Sequence, residues 1–225
     1  PTESNNRLTP RVVLRYKPSD DSSIYASFTQ GHKAAILNPN GFATVPVGEE
    51  KITSYELGYK YAARGLSFDA SAYYYDYKDL QVASYNGAQS IITNAAASRV
   101  YGLEGQLAYD FSDSFQINLG AAWLDGKYKK FLTSPIFLQC LDLVACGAGF
   151  GTFPAAVTDA SGFRMARSPK LSGNIGARYA VDLGGGKFAL SGNLAYTSKF
   201  FFYSSQQFYQ NGHELVSLRA EWTDP

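Results

Sequence analysis

Charge is what this sequence has least of. Asp, Glu, Lys and Arg make up 17% of its 225 residues, against roughly 25% in an ordinary soluble domain. Neither sign dominates, since 20 basic side chains stand against 19 acidic ones for a net charge of +1. Holding nucleic acid through a bulk positive field needs a clear basic excess, so no nucleic-acid partner is expected. Uninterrupted apolar runs of about eighteen residues are absent, which excludes a membrane-spanning helix. No secretory leader is visible and the chain opens at Pro1 rather than Met; the expectation is that processing or truncation removed an earlier start. Cysteine is confined to Cys140 and Cys146. Zinc wants four tetrahedral ligands and His32 and His213 lie far off in sequence, so neither a metal nor a cofactor is expected. The spacing is also wrong for a Cys-x-x-Cys redox pair. Two readings of the pair stay open: a small loop disulfide in an oxidising compartment, favoured by the loop-like surroundings CLDLVACGAGFG, or two buried thiols.

Aromatics are plentiful, at 15%, with 17 Tyr and 15 Phe, enough apolar area to argue against disorder. Their arrangement has a period of two. Phe115, Ile117, Leu119, Ala121 and Trp123 fall on one parity, with Gln116, Asn118, Gly120 and Ala122 between them. Segments 171–179 and 188–196 repeat the pattern, the mark of strands with two unlike faces. The same template predicts nine strands near 11–17, 23–31, 51–61, 66–77, 97–109, 115–125, 169–181, 187–201 and 213–222. Several reach the roughly 9–11 residues that a tilted strand needs to cross a bilayer. The fold class is all-β, an antiparallel up-and-down meander.

The connections alternate in length. Links at 18–21, 62–65, 110–114 and 182–186 are short and turn-rich; those at 32–50, around Asn86-Gly87, at 126–167 and at 204–212 are long. Asn-Gly is a type I′ hairpin signal, so the fourth and fifth strands should run past the rim to that tip. In a meander every second link emerges at the same end, which leaves one end trimmed and the other elaborated, as in transmembrane β-barrels. Aromatics mark both ends. Tyr16, Tyr61, Tyr109, Phe111, Phe115, Tyr179, Phe188 and Trp222 sit near the short turns, and Tyr74, Trp123, Phe200, Phe202 and Tyr203 near the long loops. Such rings form girdles at membrane interfaces. Charge then separates the faces: Arg15, Glu56, Lys60, Asp69, Glu104, Arg178 and Lys199 fall on the polar parity and are expected to face a lumen. The opposite parity, with Val12, Leu14, Leu57, Leu103 and Leu107, is expected to face lipid, where an Arg or Lys at mid-depth costs about 2–4 kcal/mol. A soluble β-sandwich shows similar alternation but gives no reason to sort loops by end. An odd strand count cannot close as a simple meander, and open edges are costly in hydrocarbon. Residues 1–225 are therefore expected to be one partial barrel domain, an open segment of a larger barrel.

The wording of particular strands then resembles a known family. Glu49-Glu50-Lys51 followed by Tyr55-Glu56-Leu57-Gly58-Tyr59-Lys60 is similar to a strand of TonB-dependent outer-membrane receptors. So are Asn94 to Gly105, with its Tyr101-Gly102-Leu103-Glu104, the Ser168-Pro169-Lys170 strand entry, and the hairpin Leu8–Lys17 with Ser23–Gly31. The resemblance implies a barrel of about 22 strands around an N-terminal plug, in the outer membrane of a Gram-negative bacterium, importing scarce nutrients with energy from TonB. It implies as partners outer-membrane lipid, the plug and remaining strands, the TonB complex, and a small organic or metal-chelate ligand such as a ferric siderophore. Ligand contacts would lie in the long loops, at Phe131, Phe137, Phe150, Phe153 and Phe163, and at Tyr203, Gln206, Gln207, Phe208 and Tyr209. Aromatics with a few amides suit a bulky organic cargo, although the same rings could simply pack on one another or on lipid. Enzyme chemistry is not expected: no G-x-S-x-G elbow occurs, and His213 with Ser204 or Ser205 is the one local Ser–His candidate. A passive porin-type barrel remains the alternative.

Overall fold

The computed structural model describes residues 6–37, 47–86, 89–140 and 151–224. Nine strands join in one antiparallel sheet: β1 (Arg11–Ser19), β2 (Ser22–Lys33), β3 (Glu50–Ala63), β4 (Leu66–Asn86), β5 (Gln89–Ser112), β6 (Phe115–Phe131), β9 (Leu171–Asp182), β10 (Lys187–Thr197) and β13 (His213–Thr223). Their spatial order follows the chain, β1-β2-β3-β4-β5-β6-β9-β10-β13. Two small hairpins stand apart: β7 (Ser134–Cys140) with β8 (Gly151–Thr158), and β11 (Phe200–Phe201) with β12 (Tyr209–Gln210). No helix occurs among the described residues.

The short link from β3 to β4 turns tightly because its residues accept the geometry. Arg64 and Gly65 both take positive φ, 51° and 75°, the pair of left-handed residues that a two-residue hairpin needs for its twist. At the opposite end β4 and β5 run on together to the pair Asn86↔Gln89, the extension beyond the rim that Asn86-Gly87 signals. The reversal itself, at 87–88, lies outside the described residues.

Among the described residues no second layer covers the sheet. Leu119, Ile175 and Leu194, which face one another across β6, β9 and β10, are 37%, 52% and 41% exposed. A sandwich would bury these three; a sheet that meets lipid leaves them out. Toward the loop end the same face carries Phe28, Tyr55, Tyr74 and Tyr101 directly opposite one another on four adjacent strands. Phe28 to Tyr55 and Tyr55 to Tyr74 are 5.4 and 6.5 Å between ring centres, and Tyr101 meets Trp123 edge-on at 5.8 Å. Near the turns Tyr109, Phe111 and Phe115 make a second set, 4.5 and 5.3 Å apart.

The other face is locked by side chains lying across glycines of the next strand. Tyr25 covers Gly58, where an added Cβ would come within 2.3 Å of its ring, and Asn118 covers Gly176, where the approach would be 2.0 Å. Glycine here serves as a socket for a neighbour's side chain.

Three differences from the sequence expectation have physical causes. Strand β6 continues to Phe131 instead of ending near 125, because backbone pairing with β5 runs on to Ala96↔Phe131 while Asp125, Lys127 and Lys129 break the apolar alternation that marks the strand lower down. Strand β10 stops at Thr197, because Phe200 and Phe201 pair with Gln210 and Tyr209 of their own link and so form a separate short strand. The 126–167 link contains a hairpin of its own, β7–β8, whose consecutive Pro135, Ile136, Phe137 and Leu138 carry no period-two signal.

Candidate functional site

At the loop end the two long links are stitched to each other. Gln207 accepts from the Phe137 N–H at 2.7 Å and donates from Nε2 to the Phe137 carbonyl at 3.0 Å. Ser134 and Ser204 share a buried hydroxyl contact at 2.6 Å. Around these bonds, Phe137 packs on Tyr203 at 4.4 Å and on Phe208 at 6.2 Å, with Tyr203 and Phe208 6.1 Å apart. Polar groups buried in an aromatic cluster need partners, and here each link supplies the other's.

A second cluster lies where β6 leaves the sheet. Phe131 is 1% exposed and sits with Tyr128, Ala96 and Ala160 in the one tight apolar core recorded among the described residues. Residues 160–165 cover it by pairing with the upper part of β6, through Ala160 to Phe131, Tyr128 to Phe163 and Met165 to Gly126. Asp159 holds the start of this strap: its carboxylate accepts the Ser161 N–H at 2.8 Å, and hydrogen bonds from Ser161 lower its pKa below the usual range. On the other side of the mouth, Gln81 Nε2 donates to the carbonyls of Ala34 and Gly48, both at 2.9 Å. Asn94 Nδ2 donates to Gly48 at 2.9 Å and to Asp79 at 2.7 Å. These two amides fix the ends of the 32–50 link against β4 and β5.

The expected ligand contacts are thus distributed. Phe137, Tyr203, Gln207 and Phe208 come together in the stitched cluster, Gln206 forms its turn with a φ of 60°, and Tyr209 lies under Lys199 Nζ at 3.5 Å. Phe163 is 37% exposed on the strap, whereas Phe131 lies beneath it. Phe150 and Cys146 lie outside the described residues, and Phe153 and Cys140 are described in their backbone only, so the cysteine pairing does too. The hydroxyl of Ser204 is engaged by Ser134, that of Ser205 by Gln207, and His213 Nδ1 lies 3.2 Å from the Asn211 carbonyl.

Six of the seven charged residues assigned to the lumen lie on the parity opposite Leu57 and Leu103. Glu56 accepts from the Tyr25 hydroxyl at 2.5 Å and Glu104 from Ser71 at 3.1 Å. Lys60 stands directly across from Asp69, Arg15 across from Tyr25, and Arg178 between Gln116 and Ser191. Lys199 is the seventh. It lies past the end of β10, over the rings of Phe201 and Tyr209. No cluster of three or more metal-ligating side chains occurs among the described residues.

Comparison with known proteins follows this geometry. The profile of the family described as TonB dependent receptor-like, beta-barrel matches residues 1–224. The pesticin receptors of Yersinia enterocolitica and Yersinia pestis are each 29% identical over 120 residues, 51% of this chain and 18% of their own length. Among solved structures, the ferric yersiniabactin uptake receptor FyuA from Yersinia pestis superposes with a TM-score of 0.76 at 17% identity, covering 95% of this chain and 29% of that one. BauA, the ferric preacinetobactin receptor from Acinetobacter baumannii, gives 0.69 at 18% identity, over 96% of this chain and 29% of its own. At these identities the structural likeness is one of fold, and this chain spans under a third of either solved protein.

Proposed function

The chain belongs to the TonB-dependent receptor β-barrel family, and from that premise we propose that it forms part of an outer-membrane receptor for energised uptake of a scarce nutrient. The cargo is a ferric siderophore or another bulky organic ligand. The observation that carries this reading is the two-faced, nine-stranded meander with all its long links at one end, matched to the family over residues 1–224. Strands of this kind need lipid on one face and partners along both edges. Residues 1–225 accordingly act as a partial barrel domain, completed by further strands, a plug inside the lumen and the TonB complex beneath it. Exposed Phe163 and Tyr203, together with Gln206, offer ring faces and an amide group to a ligand entering from the loop side, the mixture that suits an organic chelate.

The test is uptake by cells. A Gram-negative host lacking its own siderophore receptors is given the full-length protein and a panel of radio-iron-loaded siderophores. Accumulation of one chelate that stops when TonB is deleted supports the reading. Accumulation that continues unchanged without TonB would identify a passive barrel and overturn it.

A further inference from the structure

We propose that the outward face of the barrel carries a binding site for the phosphate groups of a lipid headgroup, built by Arg99, Lys127 and Arg164 and flanked by Lys199. It rests on the outward face meeting lipid, and it does not depend on which cargo the receptor takes.

The cross-strand ladder is unbroken from Tyr109↔Ile117 up to Arg99↔Lys127, so Arg99 and Lys127 share the face of Leu103 and Trp123. Arg164 on the 160–165 strap is in turn paired with Lys127. Three cations therefore stand side by side on neighbouring strands. Like charges directly opposite one another destabilise a sheet, and an anion seated among them removes that cost. Carboxylates within the protein supply it only in part. Asp76 stands directly across from Arg99 on β4, but its Oδ1 is taken by Lys129. Asp125 accepts from Tyr101 at 2.9 Å, and Lys127 Nζ is 3.8 Å from the same oxygen. No ion pair reaches Arg99 or Arg164 among the described residues, and Arg164 Nε is buried without a hydrogen-bond partner. Arg164 and Lys199 both lie over Phe201, at 5.5 and 5.4 Å, which holds Lys199 beside the row.

The height of the row identifies the occupant. Two residues below it runs the outward aromatic row of Tyr55, Tyr74 and Tyr101, which marks where acyl chains give way to headgroups. Two residues of strand rise about 7 Å, so the cations stand at headgroup level. Basic side chains at that depth attract anionic lipid, and guanidinium groups match phosphate oxygens in a bidentate fork. A soluble ligand bound in the lumen cannot reach this face, which lies on the other side of the sheet.

The test uses the full-length protein in a neutral detergent, with lipid A as the phosphorylated lipid. Wild-type protein should retain lipid A in native mass spectrometry and melt at higher temperature in its presence. The variant R99Q/K127Q/R164Q should lose both effects, with affinity down about tenfold or more, while melting no earlier than wild type without lipid. Dephosphorylated lipid A should bind wild type as weakly as lipid A binds the variant. Equal retention of lipid A by both proteins would overturn the proposal, as would equal stabilisation of wild type by inorganic phosphate alone. Should the triple variant fail to show the heat-modifiable gel shift of a folded barrel, wild type against the two lipid forms decides, and no discrimination between them refutes the site. Failure of TonB-dependent uptake would leave this lipid readout untouched.

Discussion

Gln207 meets Phe137 as a strand neighbour would, accepting its N–H at 2.7 Å and donating to its carbonyl at 3.0 Å. The N–H and C=O of one residue point to the same side of a strand, so a single side-chain amide closes the edge of β7 that β8 does not cover. Open edges invite wrong pairings, and this one is closed from the other long link. Replacing Gln207 by Leu removes both bonds while keeping the bulk. With hydrogen bonds worth roughly 0.5–1.5 kcal/mol each, the 134–158 hairpin should open more easily by about 1–3 kcal/mol. Hydrogen exchange at the Phe137 amide in the full-length protein reads this directly. Unchanged protection would show that the Ser134–Ser204 contact and the aromatic packing of Phe137 hold the links together without it.

The two faces of the sheet should respond oppositely to the same charge. Leu119 is 37% exposed, halfway between the two aromatic sets, and the polar parity of β5 beside it carries Gln106. Leu119→Arg should destabilise the lipid-embedded protein by about 2–4 kcal/mol, whereas Gln106→Arg should change stability by less than about 1 kcal/mol. Urea unfolding of the full-length protein in vesicles measures both. Equal costs would mean that the faces are not lipid and lumen.

All nine main strands were legible because one apolar and one polar face impose a strict two-residue period, and Phe115 to Trp123 shows it without a break. Sorting of the links by length was legible for the same reason, since Arg64-Gly65 at one end and Asn86-Gly87 at the other announce their turns. Above the aromatic row of Tyr55, Tyr74 and Tyr101 that constraint lapses. Asp125, Lys127 and Lys129 then look like the end of a strand although β6 continues to Phe131, and Phe131 looks like a loop aromatic although it is buried. The Gln207 clamp joins residues 70 positions apart, and no local pattern encodes such a contact. The row of Arg99, Lys127 and Arg164 likewise exists only once the register is known. Each of the three is an unremarkable basic residue in its own segment.

Gly58 should not tolerate a methyl group. Its missing side chain makes room for Tyr25, which bonds Glu56 at 2.5 Å, and a Cβ would stand 2.3 Å from the ring. Gly58→Ala forces Tyr25 off the strand and breaks that bond, so a loss of about 1–3 kcal/mol is expected. Gly105 lies on the outward face, where an added Cβ meets nothing nearer than 3.4 Å, and Gly105→Ala should cost less than about 1 kcal/mol. Heat-modifiable gel mobility, followed against temperature for the two variants, compares them. Matching transitions would remove the socket role of Gly58.

Acid should loosen the start of the chain at the mouth of the sheet. Glu49 bonds Lys51 at 2.8 Å and Arg7 through two contacts at 2.6 and 2.7 Å, and Lys51 first, then Arg7, hold its pKa below the usual value of 4.5. A carboxylate whose folded pKa is depressed contributes stability that is fully present above its unfolded value and is lost as pH falls through the folded one. The tie from Arg7 to β3 should therefore be intact at neutral pH, weaken below about 4.5, and weaken further in high salt, because the pair is exposed to solvent. Glu49→Gln removes the charge at every pH. Its Gln30 amide, which donates to the Pro10 carbonyl at 3.0 Å, should exchange at neutral pH as fast, relative to the intrinsic rate, as that of wild type does in acid, and should show no further pH step. Protection at this amide that is equal in the two proteins at pH 7 would show that the β1–β2 pairing holds this segment without the ion pair.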